Sequence, residues 1–364
     1  MNRKKWIGIA ILVVLVCLVI VAFAIVPPGY DRIEPYKNKK GETQMGSIAE
    51  KKFIEINGVK EGMFLKGRDK TKPVLLYLNG GPGISDYFLT KVYPTQLEEE
   101  FVVCYWDYPG TGLSFHSDFR KEELTTERYL EDAILVTEYL QKRFHQEQIY
   151  LMGHSFGTAI GIQLAKRKPE YYKAYIAMSQ ISDQLESEKE AYNSMKKIYS
   201  RKNNKKMVKQ FEAYAITEPE EEWLKRWFAS SLRDNAMHEL GVGTMHDMHS
   251  VISGIFFPLM RCRDYTIAER INIWRGKAMV GKSTVSYDRM KFKAINTVPE
   301  LQIPIYFLAG KYDLTCSYSE QYEYFKEITA PVKKFYTFEH SAHSPLFEQP
   351  DQVMEVFRKD IIKE

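Results

Sequence analysis

Ile149-Tyr150-Leu151-Met152-Gly153-His154-Ser155-Phe156-Gly157-Thr158-Ala159-Ile160 is the stretch on which the fold of this chain turns. Four apolar residues run without a polar break, as in a strand buried on both faces. A segment with helical spacing follows at once, from Phe156 to Arg167. Between them Gly153-His154-Ser155-Phe156-Gly157 forms a G-x-S-x-G turn. Its glycines let the chain reverse sharply, which puts Ser155 in a strained conformation with its hydroxyl exposed. The N–H of Phe156 then sits at a helix N-terminus, aimed where negative charge develops on an attacked carbonyl.

The same strand-then-helix rhythm repeats on both sides. Pro73–Leu78 and Phe101–Trp106 are apolar runs that end in Asn79-Gly80-Gly81-Pro82-Gly83 and Asp107-Tyr108-Pro109-Gly110. Residues 126–144 carry helical spacing, and Tyr175–Met178 is another short strand. Ile305–Leu308 and Lys334–Phe338 follow after a long interval, with helical segments at 317–328 and 350–362. Buried strands alternating with helices predict an α/β fold with a mostly parallel, doubly wound sheet. Ahead of it, Phe53-Ile54 and Met63-Phe64-Leu65 flank Asn57-Gly58, a hairpin signal. Residues 181–300 break the rhythm: they are charged, aromatic and helical, without a strong strand. They read as a helical cap inserted over the C-terminal ends of the strands. The core is then 51–180 and 301–364, with 31–50 as a polar linker.

An activated serine needs a base and an acid that orients it, in the chain order serine, acid, histidine for this strand pattern. Asp313 follows the strand at 305–308. His340 and His343 both follow the strand at 334–338, and His343 is the better base because it precedes Ser344-Pro345 and a C-terminal helix. His154 abuts Ser155 but points away from its hydroxyl. The second oxyanion donor belongs to the glycine loop after Leu78, with the N–H of Gly81 as candidate. The chemistry is a two-step acyl transfer on an amide or ester carbonyl, with no metal or organic cofactor. A carboxylate nucleophile is excluded by Ser155.

Other patterns carry less. The chain has 364 residues, 51 basic and 47 acidic, a near-balance that gives no case for nucleic acid. Cys17, Cys104, Cys262 and Cys316 show no paired spacing, so no disulfide framework is expected. His246 and His249 share one helix face, but no third metal ligand is evident and packing explains them better. Trp223, Trp227 and Phe228 are candidates for an apolar substrate pocket, with Asn79 beside the glycine loop.

Arg3-Lys4-Lys5 precedes an uncharged apolar run from Ile7 to Val26, which Pro27-Pro28-Gly29 ends. A spanning helix needs ~20 such residues. The basic flank places the N-terminus in the cytoplasm and all that follows Tyr30 outside. Residues 1–30 are thus read as a single-pass anchor at the cell membrane. The alternative is a signal peptide cleaved near Ala24, with a secreted product; the length of the run favours the anchor.

Taken in order, these motifs resemble the proline iminopeptidase-like branch of the α/β-hydrolases. That family carries His-Gly-Gly-Pro-Gly, Asp-Gln-Arg-Gly-x-Gly-x-Ser, Gly-x-Ser-x-Gly, a late Asp and a late His. The matching stretches here are Asn79–Gly83, Asp107–Ser114, Gly153–Gly157, Gly310–Asp313 and Ala342–Pro345, with Glu348-Gln349-Pro350 beyond. The resemblance implies the α/β-hydrolase fold, the Ser155–Asp313–His343 triad, and aminopeptidase-like cleavage of short peptides. Carboxylic-ester hydrolysis is the close alternative, and a silent ligand- or partner-binding relative is the rival of another class. Asn79 replaces the family histidine and Tyr108-Pro109 replaces Gln-Arg. In the family a cap glutamate after a tryptophan pair holds the free amine of the substrate. The loosely similar stretch Trp223–Phe228 offers none, leaving Glu218, Glu220, Glu221 and Glu222 as substitutes.

Overall fold

The computed structural model describes residues 32–362, together with residues 7, 9, 11–16, 23 and 26–30. β1 (Ile48–Ile56) and β2 (Val59–Gly67) form a hairpin. Its turn is Asn57-Gly58, both at positive φ (49° and 75°), the twist that matches flanking strands. β3 (Val74–Leu78), β4 (Val102–Trp106), β5 (Ile149–His154), β6 (Tyr172–Met178), β7 (Ile305–Gly310) and β8 (Lys333–Phe338) complete the sheet. The strand order is β1-β2-β4-β3-β5-β6-β7-β8. β2 joins β4 antiparallel, and every pair from β4 to β8 is parallel.

Both faces of the central strands are covered, which is why β3, β4 and β5 read as unbroken apolar runs. Leu76, Leu78, Cys104, Trp106 and Leu151 pack against α1 (Thr126–Phe144) and α2 (Phe156–Arg167). Leu75, Tyr77, Val103, Tyr105 and Met152 pack on the other side, in a core shared with Val353, Met354 and Phe357 near the C-terminus. Each buried Val, Leu or Ile contributes about 1.5–3 kcal/mol, so these strands carry the sheet's stability. Thr125 caps α1 by accepting a hydrogen bond from the N–H of Arg128, and His145 ends it in the left-handed conformation.

Between β6 and β7 the chain is helical: α3 (Gln184–Arg201), α4 (Lys205–Glu212), α5 (Glu220–Phe228), α6 (Ser231–Glu239), α7 (Ile267–Val280) and α8 (Thr284–Lys291). α3 to α6 enclose an apolar cluster of their own, with Tyr192, Met195, Phe211, Trp223, Trp227 and Met237. α9 (Tyr318–Glu327) follows β7, and α10 (Pro350–Val356) lies near the C-terminus.

One expectation at the N-terminal side changes and another is left without support. The stretch 31–50 is not a free linker: β1 starts at Ile48, and Ile33 is buried in the second core. Polar composition hid a segment in which Ile33 and Ile48 point inward, while Met45 stays exposed. The spanning helix over 7–26 is also unsupported: among the described residues no helix is long and apolar enough to cross a membrane. Residues 11–16 are helical and exposed, while most of 17–25 and all of 1–6 lie outside the described residues.

Candidate active site

Ser155 stands between β5 and α2 with φ 51° and ψ −118°, a conformation that costs energy for any residue with a side chain. Its surroundings hold it there. Its N–H donates to the Met178 carbonyl at 3.0 Å. Its carbonyl accepts from the Thr158 N–H at 2.8 Å and the Thr158 hydroxyl at 2.6 Å. The flanking glycines are required by close approach: a Cβ on Gly157 would lie 2.1 Å from the Leu78 carbonyl oxygen, and one on Gly153 2.6 Å from that of Gly157.

The loop after β8 carries His343, and the loop after β7 carries Asp313. His343 Nδ1 lies 2.9 and 3.1 Å from the two carboxylate oxygens of Asp313. That carboxylate also accepts from the N–H groups of Thr315 and Cys316 and the amide of Gln321. Both residues are buried. With Nδ1 held as donor, Nε2 is left as the basic nitrogen. His340 is exposed, and its N–H is given to the Gln349 side chain. Glu348 accepts from the backbone N–H groups of His246, Ala342 and Ser344, which fixes the loop around His343.

His154 points away from the Ser155 side, as expected. Its Nε2 is 2.9 Å from the His343 carbonyl and its Nδ1 2.8 Å from Asp86 Oδ2. Both partners are acceptors only, so both ring nitrogens carry protons. Burial disfavours that charge, but the Asp86 carboxylate outweighs it and raises the affinity for the proton. The same Asp86 oxygen accepts the Gly80 N–H at 2.8 Å. Asp86 thereby ties the glycine loop to the strand end beside Ser155. Neither the Phe156 N–H nor the Gly81 N–H makes a hydrogen bond among the described residues. Both are unspent donors, and Gly81 lines the cavity beside Ser155.

A cavity of about 640 Å³ lies between the strand ends and the inserted helices. Ser155, His343, Gly80 and Gly81 line it from the sheet side, and Phe228, Met237 and Arg289 from the helices. Of the four pocket candidates, only Phe228 lines it. Asn79 is buried, donating to the Trp106 carbonyl at 2.5 Å and accepting the Asp86 N–H at 2.9 Å. It braces the loop instead of meeting a ligand. Trp223 and Trp227 belong to the cluster inside the inserted helices, their indole N–H groups given to the Tyr214 carbonyl and to Glu188. An apolar aromatic on an amphipathic helix reads the same whether it lines a cavity or a core, which is why sequence did not separate them.

The acidic run of α5 is likewise elsewhere. Glu220 pairs with Lys189, and Glu221 and Glu222 pair with Lys225. None of these, nor Glu218, lines this cavity. His246 stacks on Tyr312, ring centroids 4.0 Å apart, with Nδ1 on the Gly241 carbonyl. His249 contacts the His238 carbonyl. Asp86 and Arg289 were missed by sequence reasoning. Asp86 lies three residues beyond the glycine loop, the one signal that points to it, whereas nothing near Arg289 in the chain marks it.

The alpha/beta hydrolase fold family matches residues 73–350. A probable aminopeptidase, YbaC, of Bacillus subtilis (strain 168) is 28% identical over 304 residues, 84% of this chain and 93% of that protein. A proline iminopeptidase of Heyndrickxia coagulans is 23% identical over 307 residues, covering 84% and 96%. Among solved structures, a proline iminopeptidase of Mycobacterium smegmatis superposes with a TM-score of 0.60 at 14% identity, over 84% of this chain and 95% of its own. With its parallel sheet, its serine at a strand-to-helix turn and this match over most of its length, the chain belongs to the α/β-hydrolase fold family.

Proposed function

We propose that this protein is a serine hydrolase that cleaves short peptides in the manner of an aminopeptidase, or closely related carboxylic esters, through an acyl-enzyme. Ser155 Oγ attacks the carbonyl carbon while His343 Nε2 takes its proton. Asp313 holds the Nδ1–H and balances the imidazolium. The N–H groups of Phe156 and Gly81 receive the oxyanion. Collapse breaks the bond to the leaving group, which takes the proton back from His343. Water then repeats the sequence and frees the acid. The observation that carries this reading is the Asp313–His343 pair, 2.9 Å apart, opening on the same cavity as a serine held at φ 51°. The helices from 181 to 300 serve as the cap over that cavity.

Fluorophosphonate labelling tests it directly. The parent should label, and Ser155→Ala and His343→Ala should not. A folded parent that stays unlabelled sinks the proposal in favour of a silent binding protein. The apolar run 7–26, with its basic flank, is the anchor in this reading and leaves the catalytic domain outside the cytoplasm. The same probe applied to carbonate-washed membranes of expressing cells should then label the pellet; label in the medium would favour cleavage near Ala24.

A further inference from the structure

The charges of the cavity do not balance. Its carboxylates are spoken for: Asp86 is bound to His154, and Asp234 to Arg233. Just behind the wall, Glu188 accepts from Arg233 Nε at 2.7 Å, Trp227 Nε1 at 2.9 Å and Gln184 Nε2 at 3.1 Å. Asp234, on the exposed side, shares Arg233 with Glu188, so one arginine answers two carboxylates there. The lining cations Lys277, Lys282 and Arg289, by contrast, have no carboxylate within ion-pair distance among the described residues.

Arg289, on α8, is the most confined of the three. Its guanidinium lies over the Phe228 ring, 4.6 Å from the centroid, and Nη1 donates to the Gly81 carbonyl at 2.8 Å. Its Nε is buried with no hydrogen-bond partner. Burial, and then the neighbouring Arg233, push its pKa down to about 10, so it remains charged at neutral pH. A shielded cation with an unused donor is half of an ion pair. The planar fork of a guanidinium fits a carboxylate better than any other common ligand group.

We propose that Arg289 binds a carboxylate of the substrate in the Ser155 cavity, which deepens the hydrolase reading and rests on it. The bond to Gly81 puts the guanidinium beside the oxyanion loop, so the carboxylate is held close to the scissile bond. The substrate is therefore a small acid: a short peptide with a free C-terminus, carrying the carboxylate on the leaving group, or a half-ester carrying it on the acyl group.

Two matched pairs distinguish these sources. Alanyl-phenylalanine is compared with its C-terminal amide, and mono-p-nitrophenyl glutarate with p-nitrophenyl valerate. The acid should be favoured in kcat/KM by about tenfold or more in at least one pair, and the pair that shows it names the side. Arg289→Gln should bring that ratio close to one, and Arg289→Lys should restore part of it. Taking the ratio within each variant cancels any general loss from a disturbed Gly81 loop. Calorimetric binding of the dipeptide and its amide, and of monomethyl glutarate and methyl valerate, to Ser155→Ala reads the same preference without turnover. An acid preference there, lost on adding Arg289→Gln, supports the carboxylate site even if the parent fails to label with fluorophosphonate, which would sink only the serine reading. Equal turnover and binding of acid and neutral members, or a preference that survives Arg289→Gln, overturns the proposal.

Discussion

Asp86 shows how much of the site depends on groups spent on holding its loops together. One carboxylate oxygen joins His154, the Gly80 N–H and, at 3.3 Å, the Tyr77 hydroxyl. His154 in turn reaches the His343 carbonyl, so one buried pair braces the glycine loop and the histidine loop together. Its contribution follows the His154 proton. A folded-state pKa raised above the unfolded value stabilises fully below the unfolded value, and the effect is lost as pH rises through the folded one. Asp86→Asn should therefore cost about 3 kcal/mol in urea unfolding near pH 5.5 and distinctly less at pH 9. An equal cost at both would mean that charge on His154 is not what holds the loops. Ser155, His343 and Asp313 were legible as candidates because the chemistry demands those residue types after successive strands. Asp86 was not, since an acid in a loop has many uses and its partners lie far along the chain.

At the level of elements, the turn from β5 into α2 is set by contact between backbones. Gly157 lies where any Cβ would overlap the Leu78 carbonyl of β3. Gly157→Ala must push α2 off the sheet, moving the Phe156 N–H with it. The expected result is a loss of roughly 2–3 kcal/mol in thermal or urea unfolding. Labelling of Ser155 should fall further than this stability loss alone accounts for. Unchanged labelling would show that the helix start need not be fixed so closely. Element boundaries here were unusually readable. The helices at 126–144 and 156–167 match α1 and α2, and Asn57-Gly58 turns the β1–β2 hairpin. Those signals are local: helical spacing, an Asn-Gly turn, unbroken apolar runs. The inserted helices were legible as helices but not by face, because Phe228 turns to the cavity while Trp227 beside it turns to the core.

Across the whole molecule, a buried acidic cluster joins the antiparallel edge to the parallel core. Glu61 of β2 accepts from Trp106 Nε1 of β4 at 2.8 Å, and Asp132 of α1 accepts from Asn57 of the hairpin turn at 2.7 Å. Burial, and then the Asp132 charge, push Glu61 up to about 9. It is thus protonated in the folded protein at neutral pH, and this advantage fades as pH rises from the ordinary carboxylate range toward 9. Stability should fall over that window with a slope approaching about 1.4 kcal/mol per pH unit. Glu61→Gln should flatten it and leave the protein more stable at pH 9; an unchanged slope would mean that Glu61 is ionised when folded. At this scale the chain's own order of residues was enough for the parallel sheet and the serine turn, and for naming an acid and a histidine as candidates, because periodicity and turn chemistry act between near neighbours. The packing of Ile33, the burial of Asn79, the diversion of Trp223 and Trp227 into a core, and the unpaired charge of Arg289 were settled only when distant segments met. Burial and charge balance are sums over everything within a few ångströms, and sequence spacing carries no record of which residues those are.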